Sequence, residues 1–216
     1  MNHFFPHCSF KDILMTSAGV VLIGMGSGLF RASLYGADPF TTMALGVSRF
    51  AGVSFGFCQL IVNIILLIPI LILNRKLIGI GTILNMVFVG YISDFVVSFF
   101  PVADQIGIAM RLVILTAAIF LASYGVAVYM VPEQGVAPYD AVNLILSGGQ
   151  KLHLSYRAVR IGCDTCCILT GLLFFCTSGG EPLSLVGIGT ICNLVLMGPL
   201  IQLFREKIEC RTVLQS

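Results

Sequence analysis

The chain has 216 residues, 57% of them apolar and only 10% charged, with no Trp and a mean hydropathy of +1.00. A water-soluble domain carries about a quarter of its residues as charges, so this composition excludes one and makes lipid the solvent. The formal net charge of +2, without any basic tract, gives no footprint for a nucleic-acid partner.

Residues 1–11, with His3, His7 and Lys11, read as a cytoplasmic N-terminal segment. The apolar run behind them has no small-residue cleavage pattern, so no cleaved signal peptide is expected. Six apolar windows follow, at about 12–35, 54–73, 79–100, 109–132, 155–177 and 183–204, each long enough to cross a bilayer as a helix. Two shorter pieces, about 39–51 and 138–151, are too short to cross. The expected organisation is a first three-helix unit at 12–100, a linker at 101–108, a second unit at 109–204 and a cytoplasmic tail at 205–216. Basic residues set the orientation. An inside N-terminus puts nine of them (Lys11, Arg75, Lys76, Lys151, Arg157, Arg160, Arg205, Lys207, Arg211) toward the cytoplasm and three (Arg31, Arg49, Arg111) outside. Both termini are therefore expected inside, in the cytoplasmic membrane.

The chain also repeats itself, and that decides the expected fold. Gly79-Ile80-Gly81-Thr82-Ile83-Leu84-Asn85-Met86-Val87-Phe88-Val89-Gly90 aligns with Gly187-Ile188-Gly189-Thr190-Ile191-Cys192-Asn193-Leu194-Val195-Leu196-Met197-Gly198, identical at eight of twelve positions. Gly36-Ala37-Asp38-Pro39-Phe40 aligns with Gly135-Val136-Ala137-Pro138-Tyr139 at an offset of 99, and Ser54, Gln59 and Asn63 align with Ser155, Arg160 and Asp164 at an offset of 101. Three spans per unit is an odd number, so the second unit would enter the membrane upside down. The expected fold is an all-α polytopic bundle of six transmembrane helices in two inverted repeats, each with one extra short helix.

Each short helix starts at a Pro, where a missing N–H costs nothing, with Asp38 as N-cap of the first and Asp140 in the first turn of the second. Two placements remain open for them. They are re-entrant half-helices meeting a solute in a protein-lined cavity, or amphipathic helices lying in the interface. The Gly24-x-x-x-Gly28 and Ser123-x-x-x-Ala127 pairs are expected to let helices approach closely.

The intramembrane polar groups are the candidate substrate-binding residues: Gln59, Asn63, Arg160, Asp164, Asn85, Asn193, Asp38 and Asp140. Arg160 and Asp164 are four apart, on one helix face, and Asp164 falls near mid-bilayer, where a charge costs about 2.5–3.5 kcal/mol and so faces the bundle interior. The expected site lies between the second and fifth spans, with Asn63 and Gln59 opposite Asp164. A structural ion pair is the competing reading. Asn85 and Asn193 hydrogen-bond across the repeat interface or to a solute. Asp94 is expected as a solvated interfacial acid near the outer end of the third span, within reach of water or Arg111.

Cys163, Cys166 and Cys167 cluster in the fifth span, where no His accompanies them, and read as small packing residues; no metal or cofactor is expected. No phosphate loop, nucleophile elbow or zinc-protease motif occurs, and an enzyme is not expected. The Gly-Ile-Gly-Thr-Ile segments, with Gly36-Ala37-Asp38-Pro39-Phe40 and Gly135-Val136-Ala137-Pro138-Tyr139-Asp140, resemble the YczE/YyaS/YitT group of bacterial integral membrane proteins over about residues 12–204. The resemblance implies a bacterial cytoplasmic-membrane protein and carries no substrate, cofactor or functional residue with it. The expected function is a small permease or channel-like transporter of an unidentified small solute. Alternatives are a solute-binding membrane subunit of a larger transport complex and a non-transporting accessory or scaffold protein. The Gly-rich faces leave homo-oligomerisation open.

Overall fold

The computed structural model describes residues 9–100, 107–148, 156–180 and 185–213. Residues 101–106 of the expected 101–108 linker, together with His3, His7, Lys151 and His153, lie outside them. Among the described residues the chain is all-helical: α1 (Phe10–Ser33), α2 (Pro39–Ala51), α3 (Phe55–Leu73), a 3-10 turn (Arg75–Leu77), α4 (Ile80–Val97), α5 (Ile108–Met130), α6 (Pro138–Gly148), α7 (Tyr156–Thr177) and α8 (Ile188–Val213). All but α2 and α6 are long and apolar enough to span, giving six candidate membrane helices. The last helix overruns the expected tail boundary at 204. The pairs Gln202–Glu206 (3.0 Å) and Arg205–Glu209 (2.6 Å), each one helical turn apart, continue it in polar surroundings.

Small residues decide which helices touch. A side chain at Gly19 would strike Tyr129, one at Gly26 would strike Ala122, and one at Gly125 would strike Leu22 and Ile23, all within 3.0 Å. Numbers fall on α5 as they rise on α1, so the two helices run antiparallel at backbone contact. The opposite glycine face of α1 takes α4, with Gly24 against Ile92 and Gly28 against Val96. In lipid such close approach supplies the dispersion contact that Leu facing lipid does not. The α5–α8 contact occupies the corresponding place in the second half.

The two short helices cross over. α2 packs on α7 of the other unit, and α6 packs on α3. Gly46 meets the Gly171 backbone directly, and Gly171 in turn lies against Thr42 and Met43. Further along, Phe50 stacks near Phe174 at 5.0 Å and Arg49 sits over the Phe175 ring at 4.7 Å, so α2 and α7 run in the same direction. Phe40, Thr42, Ala44 and Ser48 are buried around much of the circumference of α2. This burial is wider than one amphipathic face.

The duplicated Gly-Ile-Gly-Thr segments turn out to be clamps between the units. Gly81 donates its amide to the Gln134 carbonyl (2.8 Å), and the equivalent Gly189 donates to the Tyr35 carbonyl (2.7 Å). Gly135 (φ +108°) lies against Gly79 and Thr82, while Gly36 (φ +94°) lies against Gly187 and Thr190. Only glycine adopts those φ values without strain while leaving room for the facing backbone. The clamps differ at their threonine hydroxyls. The Thr82 hydroxyl donates to the Val136 carbonyl (2.8 Å), whereas the buried Thr190 hydroxyl has no partner among the described residues. Thr82→Val is therefore expected to destabilise by about 1–3 kcal/mol, the cost of stranding a buried acceptor. Thr190→Val should be nearly neutral. Thermal unfolding of the two purified variants checks the contrast, and equal losses would contradict it.

Asp94 corrects its expected setting. It is not paired with Arg111 but accepts from Arg31 Nη1 (2.8 Å) and from the Gly56 amide (2.7 Å), tying α4 to α1 and to the first turn of α3. An acid at a helix N-terminus and a cation in the last turn of α1 are each favourable to the helix dipoles, which the local sequence could not pair.

Candidate functional site

The N-termini of α2 and α6 meet each other. Asp38 caps α2 by accepting from the Thr41 amide (3.0 Å), Pro39 opens that helix, and Pro138 opens α6 in the same way. One residue beyond each Pro, the rings of Phe40 and Tyr139 lie 5.2 Å apart. These two residues occupy the same place in the aligned segments, so the two halves of the molecule touch through equivalent side chains.

Tyr139 places its hydroxyl 2.5 Å from Asp164 Oδ1 and donates to it. Asp164 is buried, at 8% exposure, and Arg160 Nε approaches its other oxygen at 3.9 Å. The short contact of Arg160 is elsewhere, with Asp140 Oδ1 at 2.8 Å. The expected i,i+4 pair is thus the longer of two contacts by which Arg160 bridges the short helix and α7. Asp140 is joined to Asp164 through Arg160, and Asp38 caps the helix whose Phe40 packs on Tyr139. Among the described residues, three carboxylates against one guanidinium make the junction formally acidic. Among the described residues no group of His, Cys, Asp and Glu is arranged to hold a metal.

Of the eight sequence candidates, the fold brings Asp38, Asp140, Arg160 and Asp164 together. Gln59 is directed instead at Gly90 on the α3–α4 contact, and its side-chain oxygen has no partner among the described residues. Asn63 is buried at 2% exposure on α3. Asn193 is buried, its amide nitrogen without a partner among the described residues, and Asn85 is half-buried; both follow the clamps in sequence. The four gathered residues lie where α7 packs on the two short helices, which also pack on α3.

Sequence reasoning missed Tyr139, Phe40 and Asn143. Asn143 lies one turn after Tyr139 on the same face of α6, fully buried, and neither of its amide atoms has a partner among the described residues. A signal for Tyr139 did exist. Repeat one carries Phe40 with Asn63, and repeat two carries Tyr139 with Asp164, so the donor and the acid arise together in one half.

The model of a family of unknown function, DUF6198, matches residues 10–206. An uncharacterised protein of Haemophilus influenzae is 25% identical over 195 residues, covering 90% of this chain and 84% of that protein. The uncharacterised membrane protein YczE of Bacillus subtilis is 25% identical over 182 residues (84% and 79%), and the uncharacterised protein YyaS of the same organism 24% over 200 residues (88% and 90%). These relatives bear out the resemblance drawn from the duplicated motifs. No solved structure matches the chain.

Proposed function

The chain belongs to the DUF6198 family and is a membrane protein with six candidate spans, and we propose that it is a small permease whose solute passes the acidic junction where α2 and α6 meet. One observation carries the reading: two half-length helices begin, face to face, beside a buried carboxylate and a fully buried Asn143 whose amide is unspent. Unsatisfied amide groups and irregular backbone within a bilayer are costly unless they line a wet or solute-filled path. Broken helices meeting at a repeat interface are the arrangement secondary transporters use for such a path.

The same reading makes the two units inverted repeats. Supporting it, α1 and α5 pack antiparallel through reciprocal contacts, with Gly26 on Ala122 and Gly125 on Ile23 related by the repeat offset, and the clamps are exchanged in both directions. The short helices are then re-entrant: the chain descends through 34–38 and climbs back as α2. With both termini inside, α2 and α7 end at the outer face. Fusion reporters after Gly52 and Gly179 are expected to read outside, and those after Lys76 and Cys210 inside; the reverse assignment at any two of these would remove the orientation.

Reconstitution tests the function. Proteoliposomes of the purified chain should take up at least one radiolabelled small metabolite from a broad panel faster than empty vesicles. A chain that binds a solute but moves none alone would instead be a subunit of a larger complex, and one that binds none would be a scaffold.

A further inference from the structure

α1 ends with Arg31 in its last turn and α2 ends with Arg49 in its last turn. Between these ends and α7 opens a cavity of about 390 Å³, within the size range of small-molecule sites. Its walls are apolar, with Phe30, Val97, Phe175 and Leu185 among them, and both guanidinium groups line it. The helix dipoles explain why arginines end the helices. They do not explain why both line one half-open apolar space.

The charges there do not balance. Arg31 is neutralised by Asp94 and rests over the Phe55 ring at 4.1 Å. Arg49 lies over Phe175, and no carboxylate among the described residues pairs with it. Among the described residues, two guanidinium groups against one carboxylate leave one positive charge on the cavity, and Arg49, exposed at its mouth, is open to an anion whose body enters between the apolar walls. The ring holds the planar guanidinium in place, so its fork is preorganised for a planar, two-oxygen anion.

We propose that this cavity binds a small organic monoanion, a carboxylate on an apolar body, with the carboxylate on Arg49 and the body against Phe30, Val97 and Leu185. A dianion such as phosphate would meet one unpaired charge and little else polar. The cavity lining includes Gly36 and Ala37, next in sequence to Asp38, which caps α2 at the acidic junction. The anion's further passage would require a carboxylate there to take up a proton, which couples solute to proton. That last step rests on the permease reading; the binding site does not.

The experiment is a thermal-shift titration of the chain in nanodiscs of zwitterionic phosphatidylcholine, with hexanoate, hexanamide and hexylammonium as probes. Hexanoate is expected to raise the unfolding temperature in a saturable way while the other two do not. Arg49→Gln should weaken hexanoate binding by about tenfold or more, and Arg49→Lys, which keeps charge without the fork, should fall between. Equal shifts from hexanamide, or unchanged binding in Arg49→Gln, would overturn the assignment. So would stabilisation by added phosphatidylglycerol without any by hexanoate, which would make the cavity a lipid site. If Arg49→Gln does not fold, the three probes on the native chain still decide. Flux of panel solutes without hexanoate binding would remove the cavity assignment and leave the permease; hexanoate binding without flux of any solute would support the site and remove the permease.

Discussion

Asp164→Asn is expected to yield a folded protein whose solute flux in proteoliposomes falls by about tenfold or more, the effect of removing a charge that a lipid-embedded path retains only for use. The amide keeps the shape and can still accept the Tyr139 hydroxyl, so the packing of α6 on α7 survives. The chain itself supplies the control. Repeat one has Phe40 and Asn63 where repeat two has Tyr139 and Asp164, so the double variant Tyr139→Phe with Asp164→Asn rebuilds in the second half a pairing the first half already folds with. Tyr139→Phe alone strands the buried carboxylate without its donor and should cost about 1–3 kcal/mol. The double variant should recover much of that, and the coupling is readable in a double-mutant cycle of thermal unfolding. A pair serving structure alone would show the stability pattern with flux untouched. Unchanged flux in Asp164→Asn removes the acidic junction from the transport path.

Gly46→Val is expected to abolish the folded state or cost several kcal/mol, the largest stability loss of any single substitution considered. Its Cβ would fall on the Gly171 carbonyl group, within 2.7 Å of the carbon, and backbone cannot swing aside as a side chain can. Relief requires α2 to leave α7, which would pull Phe40 from Tyr139 and Arg49 from Phe175 together. Overpacking by a few methyl groups costs about 1–3 kcal/mol even in compliant cores. Gly162→Ala on α7 is the matched control. Nothing lies within 4 Å of its added methyl, and helix propensity should make it neutral or slightly stabilising. Monodisperse yield and thermal midpoint of the two variants check this, and a normal midpoint for Gly46→Val would mean that α2 is not seated on α7.

The glycine pattern was legible where it marked close approach and illegible in its pairing. Gly24 and Gly28 announced a packed face, yet nothing local distinguished α4 from α5 as its partner. The identical Gly-Ile-Gly-Thr segments stood out in the chain, but their role as clamps did not, because their partners are backbone carbonyls at Gln134 and Tyr35, which no side-chain motif marks. Arg160 and Asp164 drew attention through their spacing. The stronger partner of Arg160 is Asp140, twenty residues away on another helix, a distance at which sequence has no periodicity to offer.

By itself the sequence determined the solvent, the six apolar helices, the two short ones with their Pro starts, and the duplication, since hydropathy, helix length and capping are properties of neighbouring residues. Only the tertiary structure decided that α2 seats on α7 and α6 on α3, and that this crossing carries Tyr139 to Asp164 and Arg49 to an apolar cavity. The reason is that in lipid every helix face is apolar enough to be tolerated. Which faces meet is then settled by backbone-to-backbone fit at a few glycines and by where a handful of polar groups can find one another.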